Sequence, residues 1–167
     1  MNSVQVLVDG FSRVRGLVHR VVRDLSPAQL AARVDGANSI AWLVWHLTRI
    51  QDDHVADVAQ GSQVWTEDGW FDRFGFPFDP AATGYGHTSE EVDAVRVESG
   101  EILVGYYDAV HARTIAYIEG VTDADLDVVI DESWDPPVTL GVRLVSVVDD
   151  CLQHAGQAAY VRGLLGK

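Results

Sequence analysis

Positive charge is scarce in this chain. Its 167 residues include 12 Lys or Arg against 25 Asp or Glu, which gives a formal net charge of −13, and Lys167 is the only lysine. Proteins that hold nucleic acid present clustered Lys and Arg to the phosphates, so this balance argues against a nucleic-acid partner. It argues equally against docking on an anionic membrane surface. Cysteine is scarcer still. Cys151 stands alone, which excludes an internal disulfide framework. Long apolar runs are missing: none approaches the length of a membrane span, and the N-terminus lacks a signal-peptide pattern. Together these absences predict a cytoplasmic protein without a membrane or nucleic-acid partner.

What is present is apolar periodicity. Nearly half of the residues are apolar, an ordinary share for a globular protein, and the length suits one domain covering residues 1–167. Val4, Leu7, Phe11, Val14, Val18, Val21 and Leu25 form a helical stripe. Ser26 and Pro27 then read as the N-cap and first residue of a short turn, which Asp35-Gly36 breaks. Asn38 or Ser39 caps a second long helix, running to about Gln60, with Ile40, Leu43, Leu47, Ile50 and His54 on its stripe. A third helix is predicted from Ser89 to Gly120, with Glu90 and Glu91 in its first turn. Leu126 to Ile130 reads as extended, and Trp134-Asp135-Pro136-Pro137 forbids helix. Thr139 caps the last helix, whose stripe is Leu140, Leu144, Val147, Cys151, His154, Ala158, Val161 and Leu165. The expected fold class is all-α: a four-helix bundle with a long aromatic-rich crossover between its second and third helices.

That crossover, Gly61 to Thr88, carries Trp65, Trp70, Phe71, Phe74, Phe76, Phe78 and Tyr85 with Gly and Pro between them. So long a loop in a compact domain is usually functional or disordered, and its aromatic density argues against disorder. Two readings stand: a lid or pocket wall with one short helix around Glu67 to Phe74, or a satellite hydrophobic cluster covering one end of the bundle. His87 is expected to be exposed.

The chemistry-bearing stretch is Asp150-Cys-Leu-Gln-His154-Ala-Gly-Gln157. Residues four apart on a helix share a face, so Asp150 and His154 can approach one ion from the same side. Alone, such a pair is more often a surface salt bridge or a satisfied core histidine. The second long helix adds His46 and His54 near its buried face, and either can supply a third ligand. Cys151 sits on the apolar stripe and reads as a buried filler rather than a nucleophile.

Asn38-Ser39-Ile40-Ala41-Trp42-Leu43-Val44-Trp45-His46-Leu47, together with Asp150-x-x-x-His154-Ala-Gly-Gln157, resembles the DinB-like (YfiT-like) superfamily of metal-binding four-helix bundles. The likeness is in particular to its mycothiol-dependent branch, the S-transferases and the N-terminal part of the maleylpyruvate isomerases. The resemblance spans the helix layout of the whole chain. Many members carry His where this chain has Asp150, and the isomerases carry a carboxylate there. Carried over by motif, the metal ligands are His46, Asp150 and His154. The resemblance favours His46 over His54 and leaves His54 as a pocket residue. It implies a divalent metal, foremost zinc, with nickel, manganese or cobalt as alternatives. It also implies a low-molecular-weight thiol, mycothiol, and an electrophilic small molecule as partners in detoxification, and it is compatible with a homodimer.

Two imidazoles and one carboxylate make a catalytic-type zinc set with positions left open. A thiol bound there loses its proton near neutral pH and becomes the useful nucleophile. Gln157 is expected to orient a ligand or hold substrate, and Arg162 to meet an anionic group or a surface carboxylate. Arg49 and Asp53 are expected to support the site from the His46 helix. Two other functions use the same fold: a metal hydrolase that activates water, and a stress-related ligand-binding bundle without catalysis.

Overall fold

The computed structural model describes residues 1–167 and is almost wholly helical. In chain order the elements are α1 (Ser3–Val22), α2 (Pro27–Leu30), α3 (Ile40–Val58), α4 (Val64–Glu67), α5 (Trp70–Phe74), α6 (Ser89–Ala94), α7 (Gly100–Ile118), α8 (Asp123–Leu126), β1 (Val129–Asp131), β2 (Val138–Thr139) and α9 (Leu140–Leu164). The four long helices α1, α3, α7 and α9 form the expected bundle. Helices α1 and α3 stand diagonally, each packed between α7 and α9.

Contacts along the helices give their directions. Gly10 lies beside Val148 and Val21 beside Arg162, so α1 and α9 are parallel. Asp52 meets Tyr106 and Val58 meets Tyr117, so α3 and α7 are also parallel. His46 lies near His154 and His54 near Arg143, which makes α3 and α9 antiparallel. Two parallel neighbours cannot be joined by a tight turn. After the 19 residues of α3 the chain must return about 28 Å before α7 begins. Residues 59–99 make that return, which explains the length of the crossover.

The first stripe holds as read: Leu7, Phe11, Val14, Val18 and Val21 are buried on α1. Ser39, not Asn38, caps α3 and accepts from Trp42 N–H at 3.1 Å. Helix α3 departs from a simple stripe. Every residue from Ile40 to Arg49 is buried, because the crossover covers the face that the other helices leave open.

The expected third helix is in fact two. Thr88 rather than Ser89 caps α6, in a capping box with Glu91, and the helix ends at Ala94. Val95 and Val97 are buried while Arg96 and Glu98 are exposed, a period of two that marks extended chain. The break lets α6 dock through Arg33, which bonds Ser89 and Asp93, while α7 starts against Val22 of α1. Leu126 likewise closes α8 instead of opening a strand, and only Val129–Asp131 pairs, antiparallel, with β2.

The crossover divides between its two readings. Trp65, Phe74 and Phe76 are buried, and Trp65 and Phe76 pack edge-on against Trp45 as a satellite core. The expected single short helix is split into α4 and α5 at Gly69 (φ 72°). Residues 83–87, in contrast, lie against the polar side chains described next.

Candidate metal centre

Helix α3 supplies His46, which is 5% exposed. Trp42, one turn earlier, stacks on its ring with centroids 4.5 Å apart and planes 18° from parallel. His46 Nδ1 lies 2.6 Å from the Thr83 carbonyl oxygen. A carbonyl only accepts, so Nδ1 carries the proton and Nε2 keeps its lone pair. The chain can come this close only because residue 84 is glycine. Its φ is +96°, and a Cβ there would stand 2.8 Å from His46 Nδ1 and 3.0 Å from the Trp45 ring.

Helix α9 supplies the other two groups. Asp150 Oδ1 lies 3.5 Å from His154 Nε2 across one turn. Gln157, three residues on, accepts from His154 Nδ1 at 3.0 Å, which leaves Nε2 facing Asp150. The His46 and His154 rings meet edge-on, with centroids 4.7 Å apart. One ligand atom from each of His46, Asp150 and His154 falls within 4.8 Å of the others, so a single ion can reach all three. A hydrogen-bonded Nδ1 with a free Nε2 is the usual preparation of a metal-binding imidazole.

Electrostatics separate the two rings. Burial pushes the His46 pKa below its ordinary value, the Thr83 carbonyl only partly offsets this, and His154 adds to the lowering. The facing Asp150 carboxylate raises His154 instead, which favours a proton on Nε2 that a bound ion would have to displace. Asp150 Oδ2 is buried and has no hydrogen-bond partner. A buried carboxylate oxygen without a partner costs free energy unless a cation or donor meets it.

The other expected residues fall in different places. His54 stays outside this group and lines a cleft of about 650 Å³ beside Asp150. Arg49 is fully buried and cannot touch a bound molecule. Its guanidinium bonds the Ala82 and Pro80 carbonyls and Gln63, which holds the segment carrying Thr83 against α3. Asp53 accepts from Gln63 at 2.7 Å and so steadies the side chain that in turn accepts from Arg49. Arg162 is a correction: it caps the C-terminal end of α1 by donating to the Val21 and Arg23 carbonyls rather than to a carboxylate. His87 is half-buried, stacked on Trp45, and its Nδ1 accepts from Trp42 Nε1 at 3.2 Å. Its expected exposure fails because the crossover folds it inward. Cys151 is fully buried, and burial drives its pKa well up, as befits a filler.

Three contributors were not read from the sequence. Thr83 acts through its backbone, which side-chain patterns do not reveal. Gly84 and Gly86 flank Tyr85, and that pairing was the available sign of a tight approach. Asp52 accepts from the Val64 and Trp65 N–H groups and from Tyr106 Oη, and so fixes the start of α4 from a distance.

A family model described as mycothiol S-transferase matches residues 6–166. A crystal structure of a conserved protein from Enterococcus faecalis is similar over 100% of this chain and 99% of its own, with a TM-score of 0.92 and 30% sequence identity. The comparison with curated proteins gives no match.

Proposed function

The chain belongs to the mycothiol S-transferase family, and from that premise we propose that it is a divalent-metal-dependent S-transferase. In this reading it delivers a low-molecular-weight thiol, mycothiol, to an electrophile held in the cleft beside Asp150. The observation that carries the proposal is the buried Asp150 Oδ2 without a partner, within reach of two imidazoles whose Nδ1 atoms are already engaged. His46 and His154, each through Nε2, and the Asp150 carboxylate would hold the ion, with zinc the best match to this donor set. A thiol bound to a divalent ion held there would have its pKa lowered, so that sulfur would be present as thiolate near neutral pH.

The protein's own groups do the rest. Thr83 and Gln157 fix the two imidazole tautomers, so neither ring must reorganise. Trp42 covers one face of His46 and limits water there. The sulfur lone pair forms the new carbon–sulfur bond, and the displaced group or π pair leaves the carbon. The proton released from the thiol is returned by solvent to the product. Three protein ligands leave open positions, which favours a catalytic over a structural site.

Elemental mass spectrometry of the protein purified without chelator tests the first half. About one divalent ion per chain is expected in the wild type, lost in His46→Ala, Asp150→Ala and His154→Ala with the helical signal retained. Conjugation of a model electrophile tests the second half and should require added thiol. A protein that stays metal-free after incubation with zinc or nickel overturns the proposal. Turnover that proceeds equally without thiol would assign the site to water activation instead.

A further inference from the structure

The cleft beside Asp150 is lined by Ile50, His54, Tyr85, Trp134, Arg143 and Val147, among others. Arg143, in the first turn of α9, donates through Nη1 to His54 Nδ1 at 3.1 Å and through Nη2 to Asp131 Oδ2 at 3.1 Å. A guanidinium has only donors. Nδ1 of His54 must therefore be the accepting nitrogen, and the proton of the neutral ring sits on Nε2. Burial, helped by the Arg143 charge, lowers the His54 pKa and keeps the ring neutral. His54 Nε2 makes no hydrogen bond inside the protein and is not among the buried polar atoms without partners. It is a donor left for something in the cleft.

Charge narrows the ligand further. Asp131 neutralises Arg143, so the one guanidinium in the cleft is already paired and none is left for an anionic group. Its walls include two large aromatic side chains that the fold leaves outside the core, Tyr85 at 91% and Trp134 at 65% exposure. Exposed aromatics at a cleft mouth offer flat apolar contact area.

Resting on the S-transferase reading, we propose that this cleft binds the electrophilic co-substrate as an uncharged, flat molecule. Its carbonyl-type oxygen accepts from His54 Nε2–H, and its apolar body lies against Trp134 and Tyr85. Arg143 is a positioning residue that acts by fixing the His54 tautomer. In conjugate addition the thiolate lone pair forms the carbon–sulfur bond at the β-carbon. The carbon–carbon π pair moves toward the carbonyl oxygen, where the His54 N–H stabilises the developing charge. The α-carbon then takes a proton from solvent, balancing the one lost by the thiol. No oxidant or reductant is needed.

The test uses binding to the metal-free protein without thiol, so that it stands apart from turnover and from anion binding at the metal. Three probes of similar shape are titrated by NMR: 2-acetylnaphthalene, the 2-naphthoate anion and 2-isopropylnaphthalene. The ketone should bind up to about tenfold more tightly than the other two, the span of one neutral hydrogen bond. His54→Ala should erase that preference, while Trp134→Ala should weaken all three alike. Imidazole nitrogen shifts should report the Nε2–H tautomer of His54 in the wild type and a tautomer mixture in Arg143→Met. Tightest binding of the carboxylate, an unchanged preference in His54→Ala, or an Nδ1–H tautomer in the wild type overturns the proposal. Loss of thiol-dependent conjugation with these binding results intact would instead remove the S-transferase reading alone.

Discussion

Helices α3 and α9 both bring side chains to the candidate metal centre, and they hold them by opposite means. On α9 the support is local. Asp150, His154 and Gln157 are spaced four and three residues apart, and each meets the next across a turn. On α3 the support is remote. His46 is fixed by Thr83, 37 residues away, and that segment is tied down by Arg49 and, through Gln63, by Asp53. Local support comes with the helix itself, whereas remote support exists only when the crossover is docked. The α9 half should therefore survive perturbations that scatter the α3 half.

The sharpest way to break this asymmetry is Asp52→Ala. It removes a buried carboxylate that accepts from the Val64 and Trp65 N–H groups and from Tyr106, and it leaves Arg49, 3.7 Å away, without its counter-charge. A loss of about 3–5 kcal/mol is expected in chemical denaturation, because one member of a buried pair is orphaned. Gly84→Ala comes next. The strained φ and the collision with His46 should displace Thr83 and weaken zinc binding about 10- to 100-fold, read against a competing chelator. Gln157→Leu removes the local brace of His154 and should cost about tenfold in the same titration, since the ring keeps its helical position. Equal effects of the last two would erase the contrast between the helices.

Acid should act on the metal-free protein in a defined direction. Burial lowers the folded-state pKa of His46, His54, His87 and His111. The unfolded chain then binds more protons as pH falls below about 6.5, so the stability these residues allow is present above that value and declines beneath it. His154 has the opposite sign: its raised pKa, set first by the Asp150 hydrogen bond, adds stability that is full below about 6.5 and is lost as pH rises through the folded value. Four groups oppose one, so melting should occur at a lower temperature at about pH 5.5 than at about pH 7.5. Asp150→Asn, which removes the His154 partner, should steepen the decline. The smallest effect is expected from Cys151→Ala, which should leave thiol-dependent conjugation unchanged because the buried sulfur reaches only Leu47 and Gln51.

The bundle and the α9 half of the site were legible in the sequence because both rest on helical spacing. The His46 position was reached through resemblance, and its neighbour His54 could not be separated from it by spacing alone. What escaped was everything set by the return path between two parallel helices. The break after Ala94 was missed although Val95 and Val97 alternate with charged residues, because the heptad-like run on either side masked a period of two. Arg49 supports the site only at one remove, because its donors are committed to backbone carbonyls far along the chain, which its place on α3 does not reveal. The role of Asp52 depends on where α4 begins, and no local pattern carries that information.

The 2.6 Å contact between His46 and the Thr83 carbonyl has a thermodynamic corollary. One imidazole is shared between the crossover and whatever ligand reaches its Nε2, so the two occupancies are linked. By reciprocity, any factor by which a docked crossover strengthens that ligand must be returned as extra protection of residues 79–87 when the ligand is bound. Amide exchange in that segment is thus a gauge of an event on the opposite edge of the same ring.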